Sequence, residues 1–248
     1  MKLSLPIAAS LAVALLTSPL HASPVTFFGE NLNPGNSTVG APVTARDEFV
    51  SNLTGVGTEN FEGFTNGTGS PINLTFPGSI GGIDATLSGG GATIRSFASV
   101  GRFATSGTNY VETNAGGGFA ISFSSAISAF GFFATDIGDF GGQLTLRLTP
   151  DGGGAFVDLT VPHTLGVSGS TDAALLFFGF YDLDQSYTNI AFLNSSTGDV
   201  FGFDDMIIGD RQQVTPTPTN PIPLPAAGWL MLGGMGALAA LRRRRKAA

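Results

Sequence analysis

Three carboxylates from the two ends of the central region are the side chains best suited to chemistry. Glu62 lies in the early stretch 60–64, and Asp204 and Asp205 lie in the late stretch 200–208. If these stretches are neighbouring strands, their carboxylates come together, and hard oxygen ligands of this kind suit calcium. Successive side chains of a strand point to opposite faces, so only one of the two aspartates is expected to face the ion. The alternative is that all three are solvated carboxylates at a sheet edge.

These stretches also resemble a known class of domain. They read Asn60-Phe-Glu62-Gly-Phe and Phe201-Gly-Phe-Asp204-Asp205, and they resemble the calcium-binding jelly rolls of carbohydrate-binding modules, in which an early Phe-Glu and a late Asp-Asp strand hold a structural ion. The resemblance implies a structural Ca²⁺ at Glu62 and at one of Asp204 and Asp205. Such an ion would join the termini of a domain that has no disulfides.

Two further acidic pairs occur in glycine-rich or polar segments. Asp136 and Asp139 could bind an ion, but Asp and Gly are also good turn formers, and we favour a turn. The same interpretation applies to Asp182 and Asp184.

Catalysis finds little support in the composition. The chain has no cysteine, which excludes thiolate nucleophiles and thiolate metal sites. Its histidines are His21, in the N-terminal segment, and His163, next to a proline in a predicted turn, and no Gly-x-Ser-x-Gly elbow is present. The single tryptophan, Trp229, lies in the C-terminal tail. Because sugar-binding platforms usually need exposed aromatic rings, this argues against both a glycosidase and a lectin. We predict that the protein is not an enzyme.

The central region, 24–210, carries the pattern of an all-β domain. Apolar residues recur at every second position in stretches such as Leu144–Leu148, and glycine-rich clusters separate the stretches. We predict an antiparallel β-sandwich, jelly-roll-like, with one short helix within 41–53 that Thr44 caps and that packs at one end of a sheet. The predicted strands are 25–28, 60–64, 83–88, 93–96, 110–112, 118–123, 126–135, 143–148, 156–161, 175–182, 186–194 and 200–208.

The charge of this region is strongly negative. Six of the 11 basic residues are Lys2 and the five of the C-terminal tail, whereas all 18 acidic residues lie between the two terminal segments, which leaves a net charge of −13. A surface of this kind argues against nucleic-acid binding. It suits cations, or solubility outside the cell.

Both ends of the chain carry targeting features. Residues 1–23 combine Lys2, an apolar stretch and small residues, which predicts a signal peptide for the Sec translocon. After a Thr/Pro-rich linker at 211–221, the segment 222–246 contains an uncharged apolar run of 16 residues. As a helix that run is about 24 Å long, which spans a membrane if the basic residues that follow it snorkel.

This tail closely resembles the PEP-CTERM family of bacterial sorting signals. The resemblance is to the VPLPA-CTERM variant, and the motif here is Ile222 followed by Pro223, Leu224, Pro225 and Ala226. The basic stop-transfer cluster consists of Arg242, Arg243, Arg244, Arg245 and Lys246. The resemblance implies processing by an exosortase-type transpeptidase in a Gram-negative bacterium that produces exopolysaccharide.

Together these features predict an exported protein of the cell envelope, cell surface or extracellular matrix. We expect its β-sandwich to be structural or adhesive. The alternative is a calcium-dependent carbohydrate-binding module that acts on exopolysaccharide.

Overall fold

The structure is a computed structural model, which describes residues 23–167 and 171–216. Residues 1–22 of the predicted signal peptide (1–23) and the sorting segment, including Pro223–Ala226 and Arg242–Lys246, lie outside the described residues. Within the described residues, no helix is both long and apolar enough to cross a membrane.

The described residues form one α-helix, a short 3-10 helix at Ala115–Gly117 and a set of strands. The helix α1 spans Ala41–Val50. The strands are β1 (Val25–Asn31), β2 (Thr58–Glu59), β3 (Ile72–Pro77), β4 (Gly82–Ser88), β5 (Thr93–Arg95), β6 (Tyr110–Thr113), β7 (Ala120–Ile127), β8 (Ala129–Thr135), β9 (Leu144–Pro150), β10 (Val157–Thr160), β11 (Leu175–Tyr181), β12 (Tyr187–Asn194) and β13 (Phe201–Gly209).

Two antiparallel sheets pack face to face, which confirms the predicted sandwich. The first sheet has the order β1-β11-β8-β13-β6-β5, with β2 also paired to β13, and the second has the order β10-β9-β12-β7-β4-β3. The alternation predicted for β9 is present, because Leu144, Leu146 and Leu148 are buried between the sheets. Aromatic rings fill the same layer, and the rings of Phe132 and Phe203 stack with centroids 5.1 Å apart.

The helix covers the outer face of the first sheet, so β8 and β11 are buried on both sides. Its Phe49 ring lies over Gly131 and Gly179, which are paired across β8 and β11. A Cβ atom at Gly131 would approach Phe49 Cε1 to 2.7 Å, so this pair of glycines makes the slot that receives the ring. The predicted helix is confirmed, but it packs on a face of the sheet and not at its end.

Several predicted element boundaries were wrong, each for a local reason. The helix starts after Gly40 with Pro42 in its first turn, so Thr44 lies inside it and makes no cap. The predicted strand 60–64 is a turn, in which Phe61 has a φ of 59°. The predicted strand 126–135 is broken at Ser128, because β7 and β8 belong to different sheets. The strands β2 and β3 were not predicted.

The two ends of the sandwich differ in what they carry. Thr135 pairs with Leu175 at one end of β8, and Ala129 pairs with Tyr181 and Gly209 at the other. We call the end at Thr135 and Leu175 the loop end, and the end at Ala129, Tyr181 and Gly209 the exit end. The chain enters the sandwich at the exit end, where Val25 pairs with Tyr181.

The chain also leaves from the exit end, through a closing segment that ends at Val214. Gln213 Nε2 donates to the carbonyl of Gly55 at 2.7 Å, and Thr54 N donates to the carbonyl of Gln213 at 2.9 Å. The compact unit therefore extends to Val214, four residues beyond the predicted boundary at 210. All the described strand pairings and both apolar cores lie within 25–214, so this range contains a complete folding unit.

Candidate metal centre

Three aspartates meet at the loop end of the sandwich. Ligand oxygens of Asp136, Asp139 and Asp172 all lie within 4.8 Å of one another. Asp136 and Asp139 follow β8, and Asp172 precedes β11. Because β8 and β11 are antiparallel neighbours, the loop after one strand and the loop before the other meet at the same end of the sheet. We call these three residues the loop-end cluster.

The cluster is buried on one side and open on the other. Asp136 and Asp139 are 2% and 6% exposed, respectively, whereas Asp172 is exposed. Asp136 Oδ1 accepts from the backbone N–H of Ala173 at 3.2 Å, and Asp136 has a φ of 66°, a left-handed conformation that aspartate tolerates better than most residues. The backbone therefore places a buried carboxylate beside an exposed one.

One arginine partly neutralises the cluster. Arg102 Nη1 donates to Asp136 Oδ2 at 2.9 Å, and its Nε donates to Glu112 Oε2 at 3.0 Å. Glu112 also accepts from Arg95 at 2.7 Å, so Arg95 serves Glu112 alone, whereas Arg102 serves both Glu112 and the cluster. Two positive charges thus face four carboxylates, which leaves an excess of negative charge.

This excess is reflected in the pKa of Asp136. Burial is the main cause that raises its pKa to about 7, and the nearby charges of Asp139 and Asp172 raise it further. The hydrogen bond from Ala173 and the charge of Arg102 act in the opposite direction. A group in this position releases its proton readily once a cation compensates its charge.

A fourth carboxylate beside the cluster has an oxygen without a partner. Asp199 is fully buried, and its Oδ2 accepts from the N–H of Gly138 at 2.9 Å and from Asn194 Nδ2 at 3.2 Å. Its Oδ1 is the one buried side-chain polar atom of the described residues that has no hydrogen-bond partner. Burial raises the pKa of Asp199, and the charge of Asp139 adds to the effect. A buried acceptor that lacks a donor is costly, unless a proton, a water or a cation satisfies it.

The loop-end cluster could hold a metal ion. Calcium binds oxygen ligands at about 2.3–2.6 Å, so two oxygens on opposite sides of one ion are at most about 5 Å apart. The spacing of the three carboxylates falls within this limit. The sequence favours a turn over an ion site at Asp136 and Asp139. It does not predict Asp172, because only the pairing of β8 with β11 brings that residue to the other two.

Glu62, the first of the predicted ion ligands, lies in the turn that follows β2. Its Oε1 accepts from the backbone N–H groups of Thr108 and Asn109 at 2.7 and 2.5 Å, and its Oε2 accepts from the Thr108 hydroxyl at 3.2 Å. The backbone N–H of Asn109 is the main cause that lowers the pKa of Glu62, followed by that of Thr108. The carboxylate thus anchors the segment 105–109.

Asp204 and Asp205 anchor the other half of the same segment. Asp204 Oδ2 accepts from the backbone N–H of Thr105 at 2.7 Å and from its hydroxyl at 3.0 Å. Asp205 Oδ2 lies 2.8 Å from that hydroxyl, and its Oδ1 accepts from the hydroxyl of Ser106 at 2.7 Å. We call Glu62, Asp204 and Asp205, with the segment 105–109, the β13 anchor.

The expectation that only one of the two aspartates faces the site was wrong. The pairing of β13 with β8 shifts between Asp204 and Ile207, and Asp205 has a φ of 47°. This bulge interrupts the alternation of side chains, so both carboxylates reach Thr105. Among the described residues, the group of three acidic ligands within 4.8 Å is the loop-end cluster and not this set. An ion at Glu62, Asp204 and Asp205 stays a prediction.

The geometry of this pair of aspartates favours a bound proton. The Thr105 hydroxyl has one hydrogen, yet it lies within hydrogen-bonding distance of a carboxylate oxygen of each aspartate. Burial is the main cause that raises the pKa of Asp204 to about 8, and the charge of Asp205 adds to it. A protonated Asp204 could itself donate a hydrogen bond, which removes the conflict.

The remaining candidates have structural roles. Asp182 Oδ1 accepts from the N–H groups of Asp184 and Gln185, and its Oδ2 accepts from the hydroxyl of Tyr187 at 2.6 Å, which is the geometry of a capped turn. His163 is buried, and its Nε2 accepts from the N–H of Leu144 at 3.1 Å.

Comparisons with known proteins bear on the fold alone. No family model and no curated protein matches the chain. The cleaved adhesin domain of Lys-gingipain matches with a TM-score of 0.39 and 16% identity over 62% of this chain and 97% of that one. The C-terminal family 22 carbohydrate-binding module of a Clostridium thermocellum xylanase matches at 0.37 and 15%, over 66% and 97%. A DUF4465 family protein from Bacteroides ovatus matches at 0.35 and 10%, over 62% and 98%. These neighbours are β-sandwich domains.

Proposed function

We propose that this protein is an exported structural or adhesive component of the cell surface or matrix, and that its sandwich binds calcium at the loop end. The observation that carries the ion-binding part is the loop-end cluster, whose three carboxylates lie within 4.8 Å of one another. Excess negative charge at a partly buried site is relieved by a divalent cation.

Calcium is the cation that suits this site best. The side chains on offer are carboxylates, and calcium accepts six to eight oxygen ligands in flexible geometry, whereas magnesium demands a tight octahedron. The domain has no disulfide to stabilise it outside the cell, because the chain contains no cysteine. An ion that links the loop after β8 to the loop before β11 would stabilise the fold instead.

The proposed route to the surface rests on the two terminal segments. The Sec translocon recognises residues 1–23, and an exosortase-type enzyme processes the segment with Pro223–Ala226, while the apolar run holds the chain in the membrane until then. Mass spectrometry of the mature protein from its native host should show that Arg242–Lys246 is lost. Intact C-terminal peptides would leave a plain membrane anchor.

The test of the ion site is thermal unfolding of residues 24–214 in millimolar calcium and in EDTA. A ligand at a hundredfold excess over its Kd stabilises a fold by about 2.7 kcal/mol, which corresponds to about 5 to 10 °C for a domain of this size. We expect this increase in the wild type and in the control Asp151→Asn, which alters an exposed aspartate at the exit end. We expect Asp139→Asn to remove it. An equal increase in Asp139→Asn would show that calcium binds elsewhere.

A second candidate function is a calcium-dependent carbohydrate-binding module that acts on exopolysaccharide. The position of the loop-end cluster favours it, because the cluster lies at the end of the sandwich opposite to the chain exit and includes the exposed Asp172. An ion there would be accessible to a polymer outside the cell.

A further inference from the structure

The loop-end cluster gives a bound ion fewer oxygens than calcium prefers. Three aspartates offer at most six carboxylate oxygens. Arg102 already occupies Oδ2 of Asp136, and the N–H of Ala173 donates to its Oδ1. Since calcium takes six to eight ligands, coordination positions remain for oxygens that these side chains do not supply.

The open positions face outward. Asp172 is exposed, while Asp136 and Asp139 are buried beneath it. An ion held by these carboxylates would therefore have Asp136 and Asp139 on its buried side and Asp172 on its exposed side, where an external molecule can reach it. The chain leaves the sandwich beyond Gly209, at the end opposite to the loop end.

Asp199 is a further buried carboxylate next to the loop-end cluster, and one of its oxygens is unsatisfied. Its Oδ2 binds the N–H of Gly138, the residue before Asp139, and its Oδ1 is buried without a hydrogen-bond partner in the described part of the chain. Burial raises the pKa of Asp199, and the negative charge of Asp139 raises it further. This is a deficit of positive charge or of donors next to the cluster, which a cation or its bound hydroxyl groups would relieve.

The balance of charge between the cluster and a bound cation favours neutral ligands. One divalent cation together with Arg102 would neutralise the three aspartates of the cluster, so no positive charge is left to attract an anion. The whole region between the terminal segments has a net charge of −13, which repels uronate polymers. Vicinal hydroxyl groups of a neutral sugar supply paired oxygens without charge.

An exposed ring lies next to the ion site. Phe140 follows Asp139 in the chain and is 48% exposed, with its ring near Gly198. A half-exposed aromatic ring beside a polar site can contact the apolar C–H face of a sugar while the hydroxyl groups bind elsewhere. Phe140 could therefore partly replace the tryptophan and tyrosine platforms that sugar-binding sites usually use.

We infer that calcium at the loop-end cluster binds vicinal hydroxyl groups of a neutral glycan, and that Phe140 contacts the sugar ring. The inference rests on the proposed calcium site, and it adds the class of ligand and the way in which that ligand is held. It predicts that glycan binding requires calcium, and that neutral polymers bind whereas negatively charged polymers do not.

The test is retention of residues 24–214 in affinity electrophoresis through galactomannan, dextran, β-glucan and alginate, with calcium or with EDTA. Thermal unfolding with calcium is measured in parallel. We expect retention by at least one neutral polymer in calcium, and none in EDTA. Asp172→Asn should lose both retention and the thermal effect of calcium, whereas Phe140→Ala should weaken retention several-fold and keep the thermal effect.

Two matched controls lie toward the exit end. Asp151→Asn alters another exposed aspartate, and Phe156→Ala alters another exposed phenylalanine, whose ring Arg147 covers at 5.5 Å. Both should behave as the wild type. Far-UV circular dichroism establishes that all four variants are folded.

The possible failures are distinguishable. A thermal effect of calcium without retention by any neutral polymer overturns the inference and leaves the proposed ion site in place. Loss of the thermal effect in the wild type overturns both. Retention that persists in EDTA, that occurs on alginate alone, or that Asp172→Asn and Phe140→Ala do not change also contradicts the inference.

Discussion

The two acidic sites of this sandwich differ in what surrounds their carboxylates. In the β13 anchor, Glu62, Asp204 and Asp205 meet N–H and hydroxyl donors from a single segment, 105–109. In the loop-end cluster, Asp136, Asp139 and Asp172 lie within 4.8 Å of one another, and Arg102 forms an ion pair with Asp136. The comparison indicates that the spacing between carboxylates, and not the number of acids alone, decides whether a cluster can hold an ion.

The difference also separates two roles for buried charge. The β13 anchor holds a loop against the last strand with hydrogen bonds that are present without any ligand. The loop-end cluster brings three carboxylates from two loops together, and their mutual repulsion is relieved when a cation compensates their charge. The first is therefore expected to matter for folding under all conditions, and the second only when calcium is present.

The largest expected effect is the loss of the β13 anchor. Asp204→Ala leaves the backbone N–H groups of Thr105, Ser106 and Asp205 without their acceptor. Each buried unsatisfied donor costs about 1–3 kcal/mol, so we expect at least 3 kcal/mol of lost stability in urea unfolding with EDTA present. The control is Asp158→Ala, which breaks an exposed pair with Arg147 and should change little. A loss as small as that of the control would contradict the anchoring role.

The next largest effect is that of calcium, and it should be specific to one site. Asp205→Asn keeps an oxygen and the shape of the side chain, so the protein should still gain about 2.7 kcal/mol at a hundredfold excess of calcium over Kd. Asp136→Asn should lose this gain. If the two variants exchange these results, the ion belongs to the β13 anchor, as the sequence predicted.

A smaller and graded effect is expected from pH. Burial raises the pKa of Asp204 to about 8 in the folded chain, against its ordinary value of 3.8. The folded state therefore binds more protons than the unfolded state between these values, and its stability falls as pH rises from about 4 to about 8, by at most about 1.4 kcal/mol per pH unit from this group.

The variant Asp204→Asn removes this contribution. Its unfolding free energy in EDTA should depend less steeply on pH than that of the wild type. The residual slope should come from Asp136, whose pKa is raised to about 7. An unchanged slope would mean that Asp204 is ionised in the fold.

The smallest effect is expected at Glu62, which is exposed at the edge of the β13 anchor. Glu62→Gln keeps one oxygen as acceptor for the N–H groups of Thr108 and Asn109, so it should cost no more than about 1 kcal/mol in urea unfolding. The thermal effect of calcium should be unchanged. A weakened effect would favour the ion site that the sequence predicted.

The sequence predicted the fold better than the site. Period-2 stretches such as Leu144–Leu148 record a buried and an exposed face directly, so the sandwich could be inferred from them. The turn at Phe61 and the bulge at Asp205 depend on positive φ angles, which are uncommon outside glycine. Asp172 joins the cluster only through the pairing of β8 with β11. None of these three features leaves a local pattern in the sequence.

The most direct test of the central claim is anomalous diffraction from crystals of residues 24–214 grown with calcium. We predict one strong anomalous peak at the loop end, about 2.3–2.6 Å from carboxylate oxygens of Asp136, Asp139 and Asp172. A peak between Glu62 and Asp204, or no peak at the loop end in saturating calcium, would contradict the account.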